Sequence, residues 1–448
     1  MIIITQKLKY LLSFIVIVFS LISNAQTTGS QFSSSLYPFV VDSIIITGNE
    51  ITEPFIILRE LNFAKGDTLT QSNAIFNRER VYSLGIFNQV YFEPTIFDST
   101  NILNIIVEES WYIYPIPFID ANEGDLKKLT YGIYLRLKNF RGRNEDLIAA
   151  IGLGYDPSFS LSYYSPNLLY KNNIFFRTSF RYASISNKSP IAEKLYGSSF
   201  SQKSIGLSFL VGKRLSLFNR IYALTGYSYI ETPFFIPGVN ASDNRIDNLF
   251  ELGLGYEHDT RDLAQFPKNG IFSSVSFNFR GLGIDGINYS VGKIDFREYR
   301  KLLFNLISKW RFSTRVTFGD DVPYYDYSII GLDEKVRGHL SEKIEGKEFY
   351  FGSVELYYPI IEELNLDLSF LPIIPNQLLS YRIGLFAQIF AETALTRFKE
   401  QPFALNRFNS GYGLGITLLV LPYQILRVEI AFNEKFESQL VLDLGISF

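Results

Sequence analysis

The closing stretch Gln439-Leu440-Val441-Leu442-Asp443-Leu444-Gly445-Ile446-Ser447-Phe448 places Leu440, Leu442, Leu444, Ile446 and Phe448 on one face and Val441, Asp443, Gly445 and Ser447 on the other. A period of two is the signature of a strand with one apolar and one mixed face. In Ile271 to Arg280 the faces are Ile271, Ser273, Val275, Phe277 and Phe279 against Phe272, Ser274, Ser276, Asn278 and Arg280. In Ile425 to Asn433 they are Leu426, Val428, Ile430 and Phe432 against Ile425, Arg427, Glu429, Ala431 and Asn433. An arginine facing lipid at mid-bilayer would cost about 2–4 kcal/mol, and a carboxylate less, so Arg427 and Glu429 belong on a wet inner face. A soluble sandwich or propeller would also alternate. Strand lengths near ten residues instead match a tilted membrane strand, since soluble strands average about 5–6.

Working back from this end, only strand-like runs occur as far as Trp111, separated by turns rich in Asn, Asp, Gly, Ser and Pro. Sixteen can be marked, near 112–119, 129–138, 147–155, 158–164, 173–183, 203–214, 219–230, 248–258, 271–280, 288–299, 303–318, 347–358, 381–393, 410–420, 424–433 and 439–448. An even number of such strands is the expectation for a closed antiparallel transmembrane barrel. The 16% aromatic content suits interfacial girdles, with Tyr170, Tyr324, Tyr325, Tyr357 and Tyr358 among the candidates.

Upstream the pattern differs. Lys7 and Lys9, an apolar run from Tyr10 to Ile22, and Ser23-Asn24-Ala25 read as a signal peptide over 1–25. Residues 26–38 are polar and read as a flexible lead-in. Residues 39–110 read as strand, helix, helix, strand, strand, a small α+β module. Thr52-Glu53-Pro54 and Thr70 mark the helix starts, and Pro94 to Thr100 is expected to connect the last two strands. On the second helix Ala74, Ile75, Val81 and Tyr82 form the apolar face, interrupted by Arg78. The barrel then occupies 111–448, with one long polar loop at 319–347.

Several function classes drop out. The chain has no cysteine, which removes disulfides, cysteine zinc sites, thiol nucleophiles and a lipidated cysteine. Its net charge of -3 comes without a basic stripe, so no nucleic acid is expected. The two histidines, His258 and His339, lie in unrelated segments, and no nucleophile elbow, metalloprotease motif or phosphate loop is present. The expectation is no enzyme, no metal and no cofactor. Asp320-Asp321 and Glu362-Glu363 read as solvated faces, His258 as structural, and Gly411, Gly413 and Gly415 as a small-residue lumen stripe that leaves room for a returning loop.

The long loop carries Val336-Arg337-Gly338-His339 between the eleventh and twelfth strands. With the preceding module, its Ile46-Thr47-Gly48-Asn49 turn, Leu84-Gly85-Ile86-Phe87-Asn88-Gln89-Val90, the Asp259-Thr260-Arg261-Asp262 segment with Pro267 and Gly270, and the terminal Phe448, this order resembles the BamA/TamA superfamily of outer-membrane insertases and translocases with a single polypeptide-transport-associated (POTRA) domain. The resemblance implies a loop folded back into the lumen, with Arg337 paired to acids of nearby strands. Glu392 and Glu429 are the candidates, and Glu355 is more remote. It implies a seam between first and last strands near Trp111, Tyr112, Leu444, Ile446 and Phe448. It implies the bacterial outer membrane as location, the module in the periplasm, and lipid and unfolded or nascent outer-membrane polypeptides as partners, with periplasmic chaperones or accessory lipoproteins as further candidates. A substrate-specific translocation or diffusion pore, or lipid-related transport, is the alternative. His339 departs from the family, which has an aromatic residue there.

Overall fold

The computed structural model of the protein describes residues 26–28, 36–121, 125–319, 322–331, 335–371 and 373–446. The expected signal peptide, Asp320-Asp321 and the terminal Phe448 lie outside them, as does the side chain of Ile446.

Sixteen antiparallel strands follow one another around one sheet, from barrel strand 1, Ile113–Ala121, to barrel strand 16, Ser438–Ile446. A short segment, Gln26–Thr28, expected within the lead-in, adds to the sheet by pairing with Asn365 to Asp367. Outward-facing apolar side chains such as Leu254, Val275, Phe279 and Leu414 are exposed, while Glu355, Gln388, Glu392 and Glu429 of the opposite parity are buried in the lumen. Strand 12, Glu348–Asp367, and strand 13, Ser380–Arg397, run well beyond their expected ends. They accommodate the extra length through register shifts between Pro359 and Leu364. Residues 303–306, expected at the start of strand 11, form a turn instead, because Phe304 and Asn305 take φ of 59° and 60°. Strand 11 is Ile307–Phe318. Tyr324, Tyr325 and Tyr357 do not sit in a lipid-facing girdle: Tyr324 and Tyr325 pack with buried clusters beneath the loops, and Tyr357 is buried with Glu355. Tyr170 and Tyr358 are exposed.

The amino-terminal module has a sheet in the order Ser43–Thr47, Thr100–Glu109, Phe87–Phe97, with helices Pro54–Leu58 and Gln71–Tyr82. Thr70 caps the second helix by accepting from the Asn73 amide. Thr52 caps nothing and instead donates its hydroxyl to Glu109, leaving Glu53 at the first helix's start. The expected connection from Pro94 is largely strand, and the turn is Asp98-Ser99 at φ of 45° and 62°. Pro94 is tolerated because its strand is an edge. The second helix buries Arg78, Glu79 and Arg80 as well as Ala74, Val81 and Tyr82, whereas Ile75 is exposed. One flank packs on the module's sheet and the charged flank is pressed against the barrel.

The seam between barrel strands 1 and 16 stands apart. Strand 16 is next to strand 1 in the order of the sheet. Strand 1 carries Pro115 and Pro117, yet its ladder to strand 2, Leu129–Phe140, is unbroken from Ile113 to Ala121. Proline has no N–H, so that ladder must use the amides of Tyr114, Ile116 and Phe118. The missing donors therefore fall on the seam edge, the placement that a strand edge tolerates. Trp111 and Tyr112, expected at the seam, precede strand 1 instead. The Trp111 amide donates to the Tyr423 hydroxyl, and Tyr112 packs against the module core with its hydroxyl donating to the Ile86 carbonyl. Leu444 is 69% exposed on the outer face of strand 16.

Candidate functional site in the barrel lumen

Val336-Arg337-Gly338-His339 lies inside the barrel against strands 12 to 16. Val336 anchors the approach, fully buried among Ile330, Phe349, Phe351 and Ala394. The tip turns at Gly338, whose φ of 94° suits glycine and where a Cβ would come within 3.1 Å of the Phe432 and Asn433 backbone. The backbone of the tip lies so close to strand 14, Asn409–Leu421, that a Cβ on Gly411 would fall 1.7 Å from the Arg337 carbonyl oxygen. Of the three glycines in the expected stripe, Gly411 is thus the one that makes room for the loop. Gly413 instead faces the Phe390 ring and the Ile430 carbonyl, and Gly415 faces Glu429.

The Arg337 guanidinium meets all three expected acids. Its Nε donates to Glu392 Oε2 at 2.8 Å, its Nη1 to Glu429 Oε1 at 2.8 Å and its Nη2 to Glu355 Oε1 at 3.1 Å. The Arg337 amide also donates to Glu392, so one carboxylate holds both backbone and side chain. The plane lies over the Phe390 ring, with the central carbon 3.5 Å from the ring centroid. Glu355 comes from strand 12, Glu392 from strand 13 and Glu429 from strand 15, Gln424–Asn433. A single planar group with five N–H donors can bridge three strands in this way, which a lysine cannot.

The surrounding charges balance only in part. Lys309 of strand 11 pairs with Glu355 at 3.0 Å. Tyr357 also donates to Glu355, and Gln388 to Glu429. Glu392 has Arg337 as its only ion-pair partner among the described residues. These supporting groups gave no signal in the sequence beyond their lumen parity.

His339 is 2% exposed, with Nε2 2.9 Å from Glu434 Oε2 and Nδ1 3.0 Å from Glu342 Oε1. Burial pushes its imidazole toward the neutral form, but the Glu342 and Glu434 carboxylates outweigh this and raise its pKa above the ordinary value. Beyond it, the Leu340 amide donates to Gln439 of strand 16 at 3.3 Å, and its side chain packs with Phe390, Ala431 and Val441. The loop therefore touches the strand that forms one side of the seam.

A second set of buried charges, missed in the sequence, ties the module to the barrel's other mouth. Glu79 is gripped by Arg382 at 2.7 Å and by Arg78, and Glu363 pairs with both arginines at 3.0 Å. Three consecutive charged residues, Arg78-Glu79-Arg80, in a helix interior were the available signal. Glu362 meets Lys268 and Lys301, so neither member of the Glu362-Glu363 pair is simply solvated. The Asp259 to Gly270 segment tucks under the module: Asp259 is forked by Arg261, and the Ala264 amide donates to the Ser83 hydroxyl at 2.9 Å. His258 Nδ1 lies 2.8 Å from Asn219 Oδ1.

A model described as the Omp85 superfamily domain matches residues 139–448, and a POTRA model, described as the surface antigen variable number repeat, matches residues 39–110. No curated protein matches. Among solved structures, BamA from Haemophilus ducreyi lacking POTRA domains 1-3 is 16% identical with a TM-score of 0.50, covering 91% of this chain and 83% of that one. CdiB from Escherichia coli is 11% identical with a TM-score of 0.53, covering 94% of this chain and 79% of that one. At these identities the likeness is one of fold.

Proposed function

The chain belongs to the Omp85 superfamily, and from that premise we propose that it assists the insertion or translocation of polypeptides at the bacterial outer membrane, with its POTRA domain in the periplasm. The observation that carries this reading is the donor-poor seam edge of barrel strand 1, where Pro115 and Pro117 have no N–H to give strand 16. Where strand 1 offers strand 16 no donor, N–H and C=O groups along Ser438–Ile446 would be a template for an incoming strand. Strand 1 is the poorer template, since Pro115 and Pro117 remove two of its seam-side donors. A client would therefore pair first on strand 16. The reading is non-enzymatic, because its chemistry is backbone hydrogen bonding and no covalent step is needed. The loop inside the lumen and the module beneath it count against an open diffusion pore.

The test uses engineered cysteines, one on strand 1 and one on strand 16, in a chain that has no native thiol. Locking the seam should reproduce the effect of depletion: loss of client polypeptides from the outer membrane, restored by reductant. Photo-crosslinkers placed at Leu442 should capture client strands. Full function with the seam quantitatively locked would overturn the proposal.

A further inference from the structure

Between the module and the periplasmic ends of barrel strands 6 to 8 lies a cavity of about 170 Å³ whose charged lining is unbalanced. These strands are Ser201–Arg214, Asn219–Glu231 and Ile246–Asp259. Arg59 and Arg80 face it from the module, and Arg214, Arg220 and Arg261 from the barrel. Only Glu60 and Asp259 oppose them in the lining, five cations against two carboxylates.

The carboxylates are already committed. Glu60 takes Arg214 at 2.7 Å and Arg80 at 2.9 Å, and Asp259 takes the fork of Arg261 at 2.7 Å and 2.8 Å. Arg59 is left with the Pro166 carbonyl at 3.3 Å and the edge of Glu60 at 3.8 Å. Arg220 has no carboxylate within ion-pair distance among the described residues, although Glu257 stands opposite it in the sheet register. The Nε of Arg80 is buried with no acceptor. Burial and then the Arg214 guanidinium push Arg59 down to about 10, the signature of a cation short of counter-charge. Positive charge clustered in a half-buried cleft with few carboxylates is costly, and a buried donor without an acceptor is uncommon.

We propose that this cavity is a binding site for a phosphoryl group, held between the module and the barrel by Arg59 and Arg220 with the free Nε of Arg80. A tetrahedral dianion offers acceptors in several directions at once, as convergent guanidiniums require, whereas a carboxylate is planar and satisfied by one fork. The site takes donors from both domains, so the bound anion would tie the POTRA domain to the barrel rim. Free phosphate and the phosphomonoester headgroup of a lipid share this chemistry.

The full-length chain in detergent is titrated with inorganic phosphate against sodium chloride of equal ionic strength, following the thermal unfolding midpoint. A parallel arm compares nanodiscs of phosphatidylcholine with and without phosphatidic acid. Saturable stabilisation by phosphate, with the half-saturating concentration raised on the order of tenfold in each of Arg59→Gln and Arg220→Gln, supports the site with free phosphate as its source. Stabilisation confined to phosphatidic-acid nanodiscs and lost in the same variants supports it with a lipid headgroup. Both variants spare the close pairs of Glu60 with Arg214 and Arg80 and the fork of Arg261 on Asp259, and normal heat-modifiable migration on gels verifies that the barrel is folded. No stabilisation by either probe, or stabilisation indifferent to both substitutions and so an adventitious ion only, overturns it.

Discussion

Replacing Arg337 with alanine should release the loop without unfolding the barrel. The substitution removes hydrogen bonds to Glu355, Glu392 and Glu429 and the cation over Phe390. The three acids do not suffer equally. Glu355 keeps Lys309 and Tyr357, and Glu429 keeps Gln388, but Glu392 loses its only ion-pair partner among the described residues. Breaking one buried pair costs about 3–5 kcal/mol, part of which the orphaned carboxylate recovers by taking a proton. With about 3 kcal/mol remaining, the undocked loop becomes roughly 10²-fold more populated.

Hydrogen exchange across residues 335–346 reads this directly, while heat-modifiable gel migration reports on the barrel. Arg337→Ala should raise loop exchange by about that factor and leave strand exchange unchanged. Arg337→Lys should fall between, keeping the charge and losing the fork. Glu392→Gln should be milder, and adding it to Arg337→Ala should cost less than the sum, since the two share one interaction. Loop exchange unchanged within a factor of about three in Arg337→Ala would refute the view that these pairs hold the loop.

Four other perturbations have defined outcomes. Because the folded His339 pKa is raised, its contribution to loop docking is complete below the ordinary imidazole value near 6.5 and is lost as pH rises through the raised value; loop exchange should rise across that window, and His339→Phe should abolish the dependence. Gly411→Val places side-chain atoms where the Arg337 carbonyl oxygen sits, so it should expel the tip and match Arg337→Ala in exchange. Pro117→Val restores a seam-side donor on strand 1, and crosslinking between engineered cysteines should then show a tighter seam and slower client handling. Glu79→Gln weakens the grip of Arg382 and Arg78, and spin-label distances from the POTRA domain to the barrel should broaden. The Arg382 and Arg78 guanidiniums outweigh burial and hold Glu79 below the usual carboxylate range, so the native domain contact should persist above that range and fail only as pH falls through the depressed value.

The sequence carried the barrel because each membrane strand must repeat the same two-faced pattern, and Leu440 to Leu444 does so without interruption. It carried the family because Val336-Arg337-Gly338-His339 falls in a fixed place in the strand order. It carried less where one residue serves two surfaces. Arg78 read as a blemish on a helix face, since nothing local says that the flank of that helix abuts Glu363 and Arg382. Tyr112 read as the start of the run 112–119, yet the linker turns it into the module core. Tyr357 read as an interfacial aromatic, and its parity with Glu355, which places both in the lumen, was the overlooked clue.

The loop and the seam share a strand, and that bears on how one could control the other. Buried ion pairs add little net stability, but they define one arrangement sharply and cost much when half-broken. Arg337 fixes the tip on strands 12, 13 and 15, while Leu340 reaches Gln439 and Val441 on strand 16. Pairing of a client strand along 438–446 would twist strand 16 and disturb the Leu340 contact, leaving the tip held by charge alone. Conversely, a docked tip would hold strand 16 through Gln439 and Val441 and oppose its opening. On the proposed function the two equilibria would be linked through two residues of the last strand, with the acids under Arg337 setting the strength of that link.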